Sequence, residues 1–145
     1  MTSKNLLLLL MTLLIGACAS NPEAKLHRAS SRGMVQQVES MIKEGADVNK
    51  AVDGETPLMA AVYGGQARIV EILLDNGADI HYKNDKGQDI WAVVTENPSN
   101  PYPSAGQAES LALLVRKGFE PRLSLIEMAQ TIDSEPLVEA LVAHG

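Results

Sequence analysis

The chain has 145 residues, of which 46% are hydrophobic and only 3% aromatic, and it carries 18 acidic against 12 basic side chains for a formal net charge of −6. That length suits a single domain with a modest core. The acidic balance argues against nucleic acid, whose phosphates it would repel, and against docking onto anionic headgroups through a basic patch. It mildly favours basic partners, although a solvated acidic surface is its more ordinary meaning.

The first element, residues 1–17, reads as a targeting segment to be set aside from the fold. Lys4 supplies a positive start, and Leu6 to Ile15 form an apolar run broken only by Thr12. The run is too short to span about 30 Å of hydrocarbon as a mature transmembrane helix. It ends Ile15-Gly16-Ala17-Cys18, and Cys18 is the sole cysteine of the chain, so no intrachain disulfide forms. This ending resembles a bacterial lipoprotein signal. The resemblance implies cleavage before Cys18 and acylation of its thiol and amine, with residues 18–23 as lipidated cysteine and short tether. Several acyl chains would anchor the protein stably, at about 0.8 kcal/mol per buried methylene. The alternatives are an ordinary secretory signal with an incidental cysteine, or an uncleaved anchor. Ala19 is not the aspartate that favours inner-membrane retention in enterobacterial lipoproteins. The resemblance therefore suggests the outer membrane facing the periplasm, with the domain held close to the bilayer by five residues that extend to at most about 18 Å. Loss of Lys4 with the signal leaves a formal charge of −7.

From residue 24 onward the chain is internally repetitive. Leu26, Ala29, Gly33 and Val38 precede Leu58, Ala61, Gly65 and Val70 by 32 residues, and Gly45-Ala46-Asp47-Val48-Asn49 precedes Gly77-Ala78-Asp79-Ile80-His81 by the same interval. The second unit is the clearest. Thr56 is placed to N-cap a helix, and Pro57 suits a first helical position. Leu58, Ala61 and Val62 follow at helical spacing, Gly64-Gly65 breaks the helix, and Ile69, Val70, Ile72, Leu73 and Leu74 form a second apolar face. Gly77 stands where a helix end requires a left-handed residue. Neither helix is long enough to be stable alone, so stacking on neighbours must supply the stability.

The Thr56-Pro57-Leu58 helix start and the period resemble the ankyrin repeat, whose period is about 33 residues. The resemblance implies an all-α repeat solenoid of helix-turn-helix units with finger loops, four of them over residues 24–145. In the third unit Gly87-Gln88-Asp89-Ile90-Trp91 follows Gly54 to Leu58 by 33 residues, with Asp89 replacing threonine as N-cap and Trp91 taking a core position. Its second helix is expected over Glu109 to Lys117, ending at Gly118, with Phe119 packing at the turn into the next unit. Between the two helices lies Asn97 to Gly106, with three prolines that cannot propagate a helix. This is read as a protruding loop: either a tolerated insertion or a contact with Tyr102 at its tip. The fourth unit, Ser124 to Gly145, places Ile126, Ala129 and Val138 at the positions of Leu58, Ala61 and Val70, and forms the C-terminal cap.

No constellation of catalytic residues has convincing spacing: there is no nucleophile elbow, phosphate-cradling loop or zinc-binding His-Glu motif. His27, His81 and His144 fall in three different units, so no metal site is expected of them, and no cofactor. Asp47 and Asp79 are expected to satisfy backbone donors in their turns. In the ankyrin family binding occurs on fingertips and on the exposed face of the inner helices. Carried onto this chain, the contact residues are Met59, Val62 and Tyr63 on the second unit's inner helix, with Thr95 and Glu96 on the third, and Tyr82, Lys83, Asn84 and Lys86 in the second finger. Tyr63 and Tyr82 are expected within one groove, since tyrosine is common in hot spots.

The function implied is a non-catalytic, lipid-anchored interaction module of the bacterial envelope, a monomer that touches the membrane through its lipid alone. It would serve as scaffold or accessory factor for an envelope protein. An immunity-type inhibitor of a periplasmic toxin is the alternative, and a small-ligand or cell-wall-binding module is the alternative of another class.

Overall fold

A computed structural model describes residues 21–95, 103–120 and 134–144. Among these the chain forms seven helices and two isolated β-bridges. Asn21 opens the first, α1 (Pro22–Ser31), by accepting the Glu23 N–H at 3.1 Å, with Pro22 at a position that needs no donor. The helix thus starts inside the stretch assigned above to the tether. Then follow α2 (Val35–Lys43), α3 (Pro57–Tyr63), α4 (Ala67–Asp75), α5 (Ile90–Thr95), α6 (Ala105–Arg116) and α7 (Glu135–His144). The expected all-α repeat solenoid is what they build. Inner helices α1, α3 and α5 pack in succession, as do α2, α4, α6 and α7. The fourth unit's first helix, expected around Ile126 and Ala129, lies outside the described residues, as do Cys18, Glu96 and Tyr102.

The start signals work as the residue types require. Thr56 is buried and accepts the Met59 N–H at 3.2 Å, and Asp89 does the same for the Ala92 N–H at 2.9 Å. At the end of α4 the Ala78 N–H reaches back to the Leu73 carbonyl and the Gly77 N–H to that of Leu74, with Gly77 at φ +84. Those two bonds satisfy carbonyls that the helix end would otherwise orphan. Asp47 and Asp79 accept the N–H two residues on, at 2.9 and 2.8 Å, closing the turn after each of α2 and α4.

The two fingers differ by one residue, which accounts for the change of interval from 32 to 33. In the first, Val52 and Glu55 exchange both backbone hydrogen bonds around Asp53 and Gly54, at φ +53 and +83. This is the two-residue Asp-Gly hairpin turn, with both central residues left-handed. In the second, Lys83 bridges Asp89, and Asn84 N–H bonds the Gln88 carbonyl around a three-residue loop.

Two further points depart from expectation. The helix α6 begins at Ala105, four residues ahead of Glu109, because Ser104 and Gln107 form a reciprocal capping box. On α7, Leu137, Ala140 and Leu141 are buried while Val138 is exposed. Val70, its counterpart, is covered within the stack; at α7 no described residue supplies the cover.

Candidate interaction surface

The surface expected to bind is assembled from one inner helix, one finger and one loop, and the structure treats its members differently. Met59 and Val62 are 1% and 0% exposed. Both were expected to face a groove; neither reaches it. The seven residues of α3 have α1 on one side, α5 on the other and α4 behind, so six of the seven are buried. Tyr63, the last residue, emerges at 49% exposure.

In the second finger Lys83 and Lys86 are exposed. Tyr82 is partly buried and packs against the hydrophobic core. Asn84 is also partly buried, and its amide is committed to the turn. Its Oδ1 accepts the N–H groups of Lys86 and Gln88 at 3.0 and 2.9 Å, and its Nδ2 donates to Gln88 Oε1 at 3.1 Å. Tyr82 and Asn84 thus shape the finger, while the two lysines present it.

Tyr63 and the finger belong to opposite ends of the inner helices. Fingers feed the N-terminal ends of the inner helices, whereas Tyr63 closes the C-terminal end of α3. There its carbonyl accepts from Gln107 Nε2 at 2.6 Å, so Tyr63 stands beside the capped start of α6. Around it the loops approach backbone to backbone. A Cβ on Gly64 would lie 2.4 Å from the Ser31 carbonyl oxygen, and one on Gly106 would lie 2.7 Å from that of Gly65.

Several residues not foreseen as contacts stitch successive units together. Asn49 donates to the Gly77 carbonyl at 3.0 Å and accepts the Asp79 N–H at 2.7 Å. One unit later His81 replaces asparagine and stacks on Phe119 at 6.2 Å, and Phe119 stacks in turn on the buried Trp91 at 5.8 Å. His27 lies 3.5 Å from Glu55, linking α1 to the first finger, and Lys117 pairs with Asp75 at 2.9 Å between α6 and α4. The signal for the Gln107 link was legible as Ser-x-x-Gln ahead of an apolar run.

Behind the second finger, an open depression of about 340 Å³ is lined by His81, Lys83, Asp89, Gly118, Phe119 and Glu120. Among the described residues no group of three or more His, Cys, Asp or Glu side chains is placed to hold a metal ion, and no helix is long and apolar enough to cross a membrane.

Comparison with known proteins agrees with this architecture. The family model described as ankyrin repeats (3 copies) matches residues 3–88. An ankyrin repeat and KH domain-containing protein, mask-1 of Caenorhabditis elegans, is 31% identical over 116 residues, 77% of this chain and 4% of its own length. Protein phosphatase 1 regulatory subunit 12A of Mus musculus is 38% identical over 73 residues, 50% of this chain and 7% of its own. The 2-5A-dependent ribonuclease of Mus musculus is 39% identical over 74 residues, 50% of this chain and 10% of its own. The chain therefore spans a tenth or less of these relatives, and the similarity is to their repeat segments. Ankyrin repeats mediate protein–protein interaction. With more than half its length matched by the family model and its helices stacked unit on unit, the chain belongs to the ankyrin-repeat family.

Proposed function

We propose that this protein is a lipid-anchored ankyrin module on the periplasmic face of a bacterial outer membrane, binding a protein partner and carrying no chemistry of its own. The anchor rests on Lys4, the apolar run to Ile15 and the small residues before Cys18. The binding role rests on the repeat architecture, and one observation carries the choice of surface. Among the residues singled out for contact, Tyr63, Lys83 and Lys86 are exposed, while Met59 and Val62 are packed into the core. The protein is an accessory factor that recognises its partner through the second finger and the Tyr63 loop.

The test compares Lys83→Glu/Lys86→Glu and Tyr63→Ala chains with the unaltered chain in pull-downs from envelope membranes, each variant first shown to retain its helical circular dichroism. Loss of one partner protein from the finger variant, and a weaker hold by Tyr63→Ala, is the expected result. A partner retained equally by both variants would place binding elsewhere.

A further inference from the structure

The net charge of the chain conceals a local reversal on its first helix. Lys25, Arg28 and Arg32 recur at intervals of 3 and 4, so they stand on one face of α1 and its C-cap, and all three are exposed. No side chain of the three is paired with a described residue, and Glu23, in the first turn, is the sole acid on the helix. Register with the next unit shows which face this is. A shift of 32 puts Lys25 on Pro57, Arg28 on Ala60 and Arg32 on Gly64. Pro57 and Ala60 are buried on α3, which packs on α1 among its neighbours, and Gly64 sits against the Ser31 carbonyl. The cations thus stand, exposed, at positions that the next unit buries or brings against its neighbour.

A polar outer face on a terminal repeat keeps a solenoid soluble, but solubility needs no particular sign. Here the sign is uniform, in a chain with 18 acids. The distance to Cys18 is also short. With α1 starting at Pro22, three residues separate Cys18 from the helix, a reach of about 14 Å from Cα to Cα. The charges then spread over about 10 Å of helix, at 1.5 Å per residue. A lipid on Cys18 would let α1 lie along the headgroups, bringing all three charges within the Debye length of about 8 Å at physiological salt.

We infer that the Lys25–Arg28–Arg32 face of α1 docks onto anionic glycerophospholipid headgroups and sets the orientation of the solenoid on the bilayer. This rests on the lipid anchor proposed above, and it reverses the conclusion drawn from net charge, which averages over faces that never meet the membrane. The first unit would lie against the membrane, and the later units, with the second finger, would project from it.

The test reconstitutes the full chain, extracted from bacterial membranes, into phosphatidylethanolamine vesicles with or without phosphatidylglycerol. Lysine acetylation is read residue by residue, and intact mass reports acylation of Cys18. A cation near an anionic surface gains about fivefold in occupancy. Lys25 should be acetylated about fivefold more slowly in anionic vesicles alone, with normal reactivity restored by about 0.5 M salt, where screening is within a few ångströms. Lys83 and Lys86 should not respond. In the Arg28→Gln/Arg32→Gln chain, which keeps Lys25 as reporter, the protection should fall. Equal reactivity of Lys25 on both vesicles, or equal protection on both, overturns the inference. An acylated chain without protection sinks the docking face and leaves the anchor standing; an unacylated chain with salt-sensitive protection does the reverse.

Discussion

A methyl group is the smallest probe of how closely these units approach. The double glycine after α3 reads in sequence as a helix breaker, yet Gly64 has the helical φ of −74 and serves as C-cap. Glycine is needed there because a Cβ would stand 2.4 Å from the Ser31 carbonyl oxygen of the preceding unit. That oxygen is backbone and cannot swing aside. Gly64→Ala and Gly106→Ala should each destabilise the fold by about 1–3 kcal/mol through overpacking, read as a lower urea midpoint. Gly77→Ala is the contrast: open space surrounds the site, and the cost is conformational, about 1–2 kcal/mol for a left-handed residue with a side chain. A larger loss at Gly77 than at Gly64 would mean that the loops between units are looser than their geometry implies. Asn49 is a second residue-scale link. Replacing it with alanine leaves the Gly77 carbonyl and Asp79 N–H to solvent, because the site is exposed. The expected loss is about 1 kcal/mol by denaturant titration.

At the scale of elements, what was legible is what local chemistry decides. Thr56 and Asp89 as N-caps, Gly77 as a left-handed stop, and Trp91 and Phe119 as packing groups follow from residue type and spacing, and all hold. Where a neighbouring unit decides, residue type is silent. Met59 and Val62 belong to a helix enclosed on three sides, and Tyr82 and Asn84 belong to the structure of the finger. Of the third unit's inner helix, α5, the described residues are Ile90–Thr95. Its hold on the stack depends on Trp91, 1% exposed and stacked on Phe119. Trp91→Ala should cost about 3–5 kcal/mol, one of the largest single-residue losses in the chain. By comparison Ser104→Ala removes one half of the α6 capping box and should cost about 1 kcal/mol. Amide exchange would separate the two, with Ser104→Ala opening the first turn of α6 alone and Trp91→Ala loosening α5 and α6 together.

For the molecule as a whole, position along the stack decides what a substitution does. In a solenoid each unit contacts its neighbours, so a helix in the middle is covered from both sides and a helix at an end from one. Val70 and Val138 are equivalent by repeat register, yet Val70 is 0% exposed and Val138 37%, with Val142 at 77% on the same helix. Among the described residues none covers the cations of α1, which stand where α3 has proline, alanine and glycine. Position along the stack also separates folding from binding. Val138→Ser/Val142→Ser should change stability by no more than about 0.5 kcal/mol, as for other exposed sites. Met59→Ala, at the centre, should cost about 2–5 kcal/mol. If Met59→Ala also weakens partner capture, that loss should track the unfolded fraction and vanish when both chains are assayed well below their melting temperatures. Lys83→Glu/Lys86→Glu should lose the partner with its melting temperature intact. Should Met59→Ala lose the partner while fully folded, the surface between the inner helices would have to open on binding, and a rigid α3 would no longer describe the bound state.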